Sequence, residues 1–323
     1  MNTTKIISAC AVLVALASCS SDHELSQQSA EDAAIRIQAN VGGSTTRAAD
    51  NIQGAQFDNG EHVCVYIYEH TDGQATYNYG DNGLLPCTAD NNGHLSFSQP
   101  QYFPANGNGI DVYGVYPNSV MPGAAAFSVL TYQSDAANYR ASDLMYASCV
   151  TNHKKGTPVS LSFQHKLSKV TVELVAGKGF EGAEADLNDA EVKITNTSTK
   201  CTFDAINKNG IGTISASTSS SDIQDITIGT WNSESKNKMS AIVIPQTVSA
   251  GKELFEVTLN GINKPYKYKI PAGSGVTFSE GKVYNYKLTV NKAGIVVNST
   301  ITNWDDDSSS LPSGGNVDAT LDD

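Results

Sequence analysis

The stretch that decides the fold is 33-AAIRIQANVGGSTTRA-48, near the start of the chain. Apolar residues occupy every second position of its first half: Ile35, Ile37, Ala39 and Val41. This period of two predicts a β-strand with one buried face and one polar face. Two glycines, Gly42 and Gly43, then end the pattern, and a small polar loop leads to a single basic residue, Arg47.

Arg47 has two interpretations. Most arginines in loops are solvated charges with no special role, and the strand before it would then be an ordinary first strand. Alternatively, a trypsin-like protease could cut after Arg47 and detach that strand from the rest of the chain. The sheet would be left with an apolar groove bordered by unpaired backbone groups, which a strand of another chain could fill.

Residues 1–18 are predicted to be an export signal. Lys5 precedes an apolar run that is too short to cross a bilayer, which needs about 20 residues. The run ends at 16-LASC-19, which resembles a bacterial lipobox, so that the sulfur of Cys19 would carry the lipid. The alternative is a plain secretory signal with an incidental cysteine. Residues 20–32 are polar and acidic, which predicts a flexible tether.

The composition indicates an exported all-β protein. The 323 residues suffice for two domains, 40% of them are hydrophobic and only 17% are charged. Thr, Ser, Asn, Gly and Tyr are plentiful, whereas amphipathic helical patterns are missing. The net charge of −12 argues against nucleic acid as a partner, since nucleic-acid binding needs a basic surface. No later stretch is apolar and long enough to cross a membrane.

Short strand-like segments separated by turns fill the chain from Glu61 to Trp304, which indicates sandwiches or barrels. The run 62-HVCVYIYEH-70 is almost continuously apolar and predicts a strand buried on both faces. We place a domain boundary at about residues 166–169. The expected organisation is residues 19–47 as tether and first strand, 48–167 and 168–304 as two closely packed β-domains, and 305–323 as an acidic tail.

The tail contains a second, shorter alternation. A solvated spacer beginning with Asp305 leads to three apolar residues at period two: Val317, Ala319 and Leu321. Five residues prove little, and a disordered acidic tail explains them well. A flexible spacer that ends in an alternating segment is also what a donor strand requires, at the same period as the first strand.

We find no pattern typical of an enzyme, a cofactor or a metal site. The six histidines form no HExxH or other compact ligand pair, and no nucleophile elbow, phosphate loop or dinucleotide fingerprint is present. His165 is expected to have a hydrogen-bonded structural role. The segment 90-DNNG-93 is expected to be a turn rather than a calcium site. Buried free thiols are favoured over disulfides for the four body cysteines: Cys64, Cys87, Cys149 and Cys201.

A sugar-binding lipoprotein would have a similar composition. Aromatic rings on exposed loops can stack on glycans, and seven tyrosines of the first half are candidates: Tyr77, Tyr79, Tyr102, Tyr113, Tyr116, Tyr132 and Tyr139. A lectin has no need for a detachable strand, whereas a polymerising subunit depends on one. Release of the first strand therefore separates these two functions.

Several motifs together resemble the fimbrillin family of Bacteroidetes, the subunits of type V pili. They are the lipobox at Cys19, 45-TTRA-48, 143-DLMYA-147, 161-LSFQHKLSKV-170, 281-GKVYNY-286, 294-GIVV-297 and 302-TNW-304. The order of these motifs along the chain makes the resemblance fairly specific.

The resemblance implies two tandem transthyretin-like β-sandwiches and export to the outer membrane as a lipoprotein. Asp22 and Glu24 resemble an outer-leaflet signal. The family resemblance also implies lipidation of Cys19, cleavage after Arg47 by an Arg-specific surface protease, and Ala48 as the new N-terminus. It further implies polymerisation with other fimbrillin subunits by strand exchange, in support of adhesion to a glycan or protein of another surface. Shaft, tip and anchor roles remain open, as does a non-polymerising glycan-binding or anchoring lipoprotein.

Overall fold

The structure is a computed structural model of the 323-residue chain. It describes residues 33–42, 56–72, 79–81, 83–120, 123–181, 187, 189–229, 238–262 and 264–304, together with the backbone of 317–318. Nearly all regular structure in these residues is β-strand, which confirms the predicted all-β class. None of the helices in the described part of the chain has the length and apolar character needed to span a membrane.

The first half of the chain forms a closed barrel of seven strands. In the order in which they neighbour one another, these are β1 (Ile37–Val41), β4 (His94–Phe97), β3 (Leu84–Ala89), β2 (His62–Glu69), β5 (Ile110–Tyr116), β8 (Met145–His153) and β9 (Val159–His165). All neighbours are antiparallel except β1 and β9, which run parallel. β1 closes the ring because it pairs with β9 on one side and with β4 on the other.

β2 is buried on both faces, as its sequence predicts. Val63, Val65 and Ile67 belong to the barrel core, whereas Cys64 and Tyr66 belong to a second core that is shared with the other half of the chain. β5 follows the same division, since Val112 packs in the barrel core. The outer face of this side of the barrel is therefore an internal surface of the protein.

The second half is built around two five-stranded sheets. The first sheet contains β15 (Lys238–Val243), β10 (Ser168–Ala176), β20 (Lys282–Asn291), β21 (Gly294–Asn303) and β22 (Val317–Asp318), in that order. The second contains β18 (Tyr266–Lys269), β17 (Glu253–Thr258), β11 (Glu191–Ser198), β14 (Ile223–Ile228) and β7 (Tyr132–Gln133). Their alternating apolar residues, such as Val172 and Leu288, form the second core.

Smaller elements complete the fold. β6 (Ala126–Ser128) joins β12 (Lys200–Thr202) and β13 (Ser215–Ala216), and β16 (Gln246–Val248) pairs with β19 (Val276–Phe278). The short helix α1 (Ala136–Ala141) is capped by the Asp135 side chain. Because β6 and β7 pair with strands of the second half, residues 126–133 extend across the expected boundary. The division at residues 166–169 stays a prediction.

His165 lies at the junction of the two halves. Its Nδ1 is 3.0 Å from Asp143 Oδ1, and both side chains are buried. The imidazole ring stacks on the Trp304 indole, with ring centroids 3.8 Å apart. The expected hydrogen-bonded structural role of His165 is thus confirmed, and it connects the end of β9 to the end of β21.

The four body cysteines are free thiols, as expected, and all except the half-buried Cys149 are buried. Burial raises the pKa of the Cys64, Cys149 and Cys201 thiols to about 11 in each case. These thiols are therefore protonated and unreactive at neutral pH.

Candidate functional site

The candidate site is the first strand and the groove that it fills. β1 runs parallel to β9, with Ile37 opposite Val159 and Val41 opposite Phe163. On its other edge it is antiparallel to β4, where Ile37 faces Leu95. The predicted strand is therefore present, and it lies inside the barrel with neighbours on both edges rather than at the border of a sheet.

The pairing continues beyond the start of β1. The backbone N–H of Ile35 donates to Gln101 O at 2.7 Å, and the N–H of Phe103 donates to Ala33 O at 2.8 Å. The N–H of Val159 donates to Arg36 O at 2.8 Å. The segment that is held in the barrel thus extends from Ala33 to Gly42, about ten residues.

The inward face of this segment is fully buried. The exposed fractions are 5% for Ile35, 2% for Ile37, 0% for Ala39 and 4% for Val41. All four side chains belong to the barrel core, together with Leu95, Leu161, Phe163, Val63 and Phe57. Burial of an Ile or Val side chain stabilises a protein by about 1.5–3 kcal/mol, so the three larger side chains together contribute on the order of 6 kcal/mol.

The opposite face is polar and in contact with solvent. Arg36 and Asn40 are exposed, and Gln38 is half-buried. Gln38 Nε2 donates to Asn92 O at 2.6 Å, and the Ala39 N–H donates to Gly93 O at 2.7 Å. The turn between β3 and β4 therefore holds the middle of β1 in place.

Asp90 stabilises that turn. Its Oδ1 accepts hydrogen bonds from the backbone N–H groups of Asn92 and His94, both at 2.8 Å, and its Oδ2 lies 3.0 Å from His94 Nδ1. These hydrogen bonds lower the pKa of the Asp90 carboxyl to about 2, and those from His94 contribute most to this shift. The carboxylate is used within the turn, and the turn expected at 90-DNNG-93 is present.

The strand leaves the barrel at Gly42. This residue has φ of 68°, which favours glycine, and its N–H donates to Phe163 O at 2.7 Å. Gly43 to residue 55, including the predicted cleavage site at Arg47 and Ala48, lie outside the described residues, as does Cys19. Only this connection joins β1 to the following chain, so a cut there would leave β1 attached to the barrel by non-covalent contacts alone.

Loss of β1 would expose two kinds of surface. The backbone groups of β9 and β4 that now pair with β1 would have no partner, and the apolar side chains beneath Ile37 and its neighbours would face water. Edges of this kind are templates for strand addition. The groove left by such a loss would be about ten residues long, from the position of Ala33 to that of Gly42.

The candidate donor strand in the tail is described only in part. The backbone of Val317 and Asp318 forms β22, which pairs with β21 so that Val297 is opposite Val317 and Val296 is opposite Asp318. Ala319 and Leu321 lie outside the described residues. The tail segment thus rests on the edge of the second half, a contact that its sequence did not reveal.

Most of the candidate sugar-stacking tyrosines belong to the core. Four are buried, with exposed fractions of 6% or less: Tyr79, Tyr113, Tyr116 and Tyr139. Tyr102 and Tyr132 are 51% and 56% exposed, and Tyr77 lies outside the described residues. In the part that the structure describes, the candidate rings of the alternative sugar-binding function are therefore reduced to Tyr102 and Tyr132.

Comparisons with known proteins agree on one family. The model of the fimbrillin-like family matches residues 46–304. A protein of Bacteroides uniformis named "Putative fimbrium subunit Fim1C" is 28% identical over 315 residues, which cover 94% of this chain and 96% of the relative.

Two solved structures have a similar fold. A "putative cell adhesion protein" from Bacteroides uniformis is 24% identical with a TM-score of 0.62, over 84% of this chain and 98% of the other. Another, from Bacteroides ovatus, is 19% identical with a TM-score of 0.61, over 84% and 97%.

Proposed function

Because this chain belongs to the fimbrillin-like family, we propose that it is a structural subunit of a surface fimbrium that supports adhesion. The relative of Bacteroides uniformis, named as a fimbrium subunit, supports this role. Other fimbrillin subunits are then its partners, and the cell surface is its location. No catalytic residue, cofactor or metal enters this function.

The maturation sequence that we propose has three steps. The precursor is exported as an outer-membrane lipoprotein, with lipid on Cys19. A surface protease cuts after Arg47, so that Ala48 becomes the N-terminus. The segment before the cut, including β1, then leaves the barrel, and a strand of another subunit takes its place by donor-strand exchange.

The observation that carries this proposal is the position of β1. The segment from Ala33 to Gly42 has neighbours on both edges and four buried apolar side chains, so it is an integral part of the barrel, and only residues 43–47 separate it from the proposed cut. One cut converts this strand into a replaceable ligand. Fimbriae need both properties, since the groove must be filled before assembly and refilled during it.

The same geometry prevents early assembly. While the chain is intact, displacement of β1 costs on the order of 6 kcal/mol of apolar burial, besides its backbone hydrogen bonds, and the strand cannot diffuse away. After cleavage the released strand is diluted, whereas an incoming strand regains the same contacts. The multimer formed by strand exchange is expected to be kinetically stable, because dissociation of the donor strand would reopen the whole groove.

Limited proteolysis of a recombinant chain that begins at Ser20 tests this proposal. We expect trypsin to cut after Arg47 and to produce an SDS-resistant ladder of multimers in unboiled samples, with Ala48 as the N-terminus of every band. The Arg47→Ala variant should stay monomeric. Arg47→Lys is the matched control, because trypsin accepts lysine while an Arg-specific protease does not.

Arg36 serves as an internal reference. Its peptide group is held by the hydrogen bond from Val159, so we expect cleavage after Arg36 only once β1 has left the barrel. A clean cut after Arg47 that yields only monomers would contradict the polymerising role and favour the anchoring or glycan-binding alternative.

A further inference from the structure

Basic residues are scarce in the first half of the chain, and most of them meet at one end of the barrel. Residues 33–165 contain only five lysines and arginines. Arg47 belongs to the proposed cleavage site, and Arg140 forms ion pairs with two carboxylates. The other three are exposed and lie at the barrel end where β1 and β9 begin and β8 ends: Arg36, Lys154 and Lys155. This end is thus a cationic region on a chain whose net charge is −12.

Contacts with the backbone hold these cations near one another. Arg36 Nη2 donates to Gly156 O at 3.4 Å, which places the guanidinium beside the turn between β8 and β9. Lys155 precedes Gly156 in that turn, and Lys154 Nζ donates to Gly107 O at 3.3 Å. None of the three cations forms an ion pair with a residue that the structure describes. An anionic ligand therefore gains contacts here without breaking an existing ion pair.

The acidic residues at this end of the barrel lie apart from the cations. Glu69 is 8% exposed, and its Oε1 accepts hydrogen bonds from two asparagine amides. Asp111 is 3% exposed and lies 2.7 Å from His70 Nδ1. The exposed Asp72 and Asp81 lie between β2 and β3, which are opposite β1 and β9 in the ring of strands. The positive charge is therefore confined to one side, which suits a narrow anionic chain better than a flat anionic membrane.

An exposed aromatic ring lies beside the cations. Tyr102 is 51% exposed, although its backbone is held in place: it forms an antiparallel bridge with Ala34, and Tyr79 Oη donates to Tyr102 O at 2.8 Å. Arg36 follows Ala34 by two residues on the same outward face. Tyr102 and Arg36 are therefore diagonal neighbours, about 7–8 Å apart. The barrel end thus combines a fixed aromatic platform with positive charge.

We propose that this surface, formed by Arg36, Tyr102, Lys154 and Lys155, binds an anionic polysaccharide. Carboxylate or sulfate groups of the sugar chain pair with the guanidinium and the two ammonium groups, while a pyranose ring stacks its C–H face on the Tyr102 ring. The cations attract any polyanion, and Tyr102 is the feature that favours a sugar. The inference rests on the proposed function in one respect, since it names the class of ligand for the adhesive role.

The surface includes part of the detachable segment. Arg36 lies on the segment from Ala33 to Gly42, whereas the other three side chains belong to the part of the barrel that stays. A sugar chain that contacts both parts stabilises β1 in the barrel. By linkage, the ligand shifts the equilibrium between docked and released strand by the same factor by which release of the strand weakens ligand binding. The uncleaved chain is therefore the form with the higher affinity.

Three matched polymers test the ligand class on the uncleaved chain that begins at Ser20. Carboxymethyl dextran carries charge on a sugar chain, dextran is the same chain without charge, and polyglutamate of equal charge density carries charge without sugar. We expect the tightest binding for carboxymethyl dextran, none for dextran, and loss of binding at about 1 M salt, where the charges are screened. Equal affinity for polyglutamate and carboxymethyl dextran would overturn the assignment of a saccharide.

Charge variants locate the site. Replacement of its three cations by glutamine should weaken binding of carboxymethyl dextran about tenfold or more at low salt: Arg36→Gln, Lys154→Gln and Lys155→Gln. The matched control removes the same charge from exposed lysines of the second half and should change the affinity less than about twofold: Lys252→Gln, Lys264→Gln and Lys269→Gln. Equal effects of the two triple variants would show attraction by overall charge and overturn the site.

Aromatic variants test the stacking contact. Tyr102→Ala should weaken binding about fivefold, whereas Tyr132→Ala, at a ring that is 56% exposed on another surface, should have no effect. Tyr102→Trp keeps an aromatic face and should keep the affinity, which separates loss of stacking from a change in the fold. Equal affinity of Tyr102→Ala and wild type would remove Tyr102 from the site and overturn the preference for a sugar.

Strand release tests the link to β1. After cleavage at Arg47, a fluorophore on the tether reports the released fraction. Saturating carboxymethyl dextran should shift the equilibrium towards docked strand by about the factor by which Arg36→Gln weakens binding, and should shift it less in the Arg36→Gln protein. An unchanged released fraction would overturn the role of Arg36. If cleavage yields no ladder of multimers, the polymerising function fails, whereas binding to the uncleaved chain is measured independently of it.

Discussion

Truncation of Ile37 tests most simply whether β1 is part of the barrel core. The Ile37→Ala change removes three carbon atoms from a side chain that is only 2% exposed. At about 0.8 kcal/mol for each buried methylene the transfer loss is about 2.4 kcal/mol, and the residual cavity brings the cost to about 3 kcal/mol. Asn40→Ala on the exposed face of the same strand is the control, with an expected change within about 0.5 kcal/mol.

Two assays measure this difference. Chemical denaturation of the uncleaved chain gives the free energy of unfolding, and the barrel transition should move to lower denaturant for Ile37→Ala only. After cleavage at Arg47, a fluorophore on the tether reports release of the strand. A loss of about 3 kcal/mol corresponds to roughly a hundredfold shift from docked to released strand. Equal stability and equal release for the two variants would refute the buried position of β1.

Three further predictions concern the support of this site. Asp90→Ala should weaken the turn that holds β1 and lower the stability of the protein. Because the folded pKa of Asp90, about 2, lies below the unfolded value of 3.8, the difference in stability between variant and wild type should be constant above about pH 5 and vanish between pH 4 and 2. Thermal melts at each pH measure this difference. The three buried body thiols, Cys64, Cys87 and Cys201, should react with a thiol reagent at pH 8 only after denaturation, and fast labelling of any of them in the native protein would contradict their burial. Gly114→Ala should destabilise the barrel by about 1–3 kcal/mol, because the added Cβ would approach the Phe163 ring too closely; an unchanged melting temperature would be the contrary result.

The local pattern of the sequence was sufficient to predict β1. The alternation from Ile35 to Val41 and the glycines after it determine the strand, its buried face and its end. The strands that pair with β1 in the barrel could not be predicted. β9 lies far away in the sequence, and parallel pairing between distant segments leaves no local signal. The contribution of Gln101 and Phe103 to the groove was missed for the same reason.

Other differences have identifiable physical causes. β3 is not evident from the sequence because Pro86 interrupts its apolar pattern, although it pairs with β2 and β4. The helix α1 has six residues, too few to show a helical period. The strands β12, β16 and β19 have only three residues each, too few to show a period of two. The burial of Tyr113 and Tyr116 could not be predicted because the sequence does not show that both faces of β5 are covered.

The most direct test of the central claim is the intact mass and N-terminal sequence of the protein recovered from the cell surface, with and without added trypsin. The account predicts chains that begin at Ala48 and migrate as SDS-resistant multimers. A chain that still begins at lipidated Cys19, and that remains monomeric after trypsin has cut at Arg47, would contradict assembly through the vacated groove of β1.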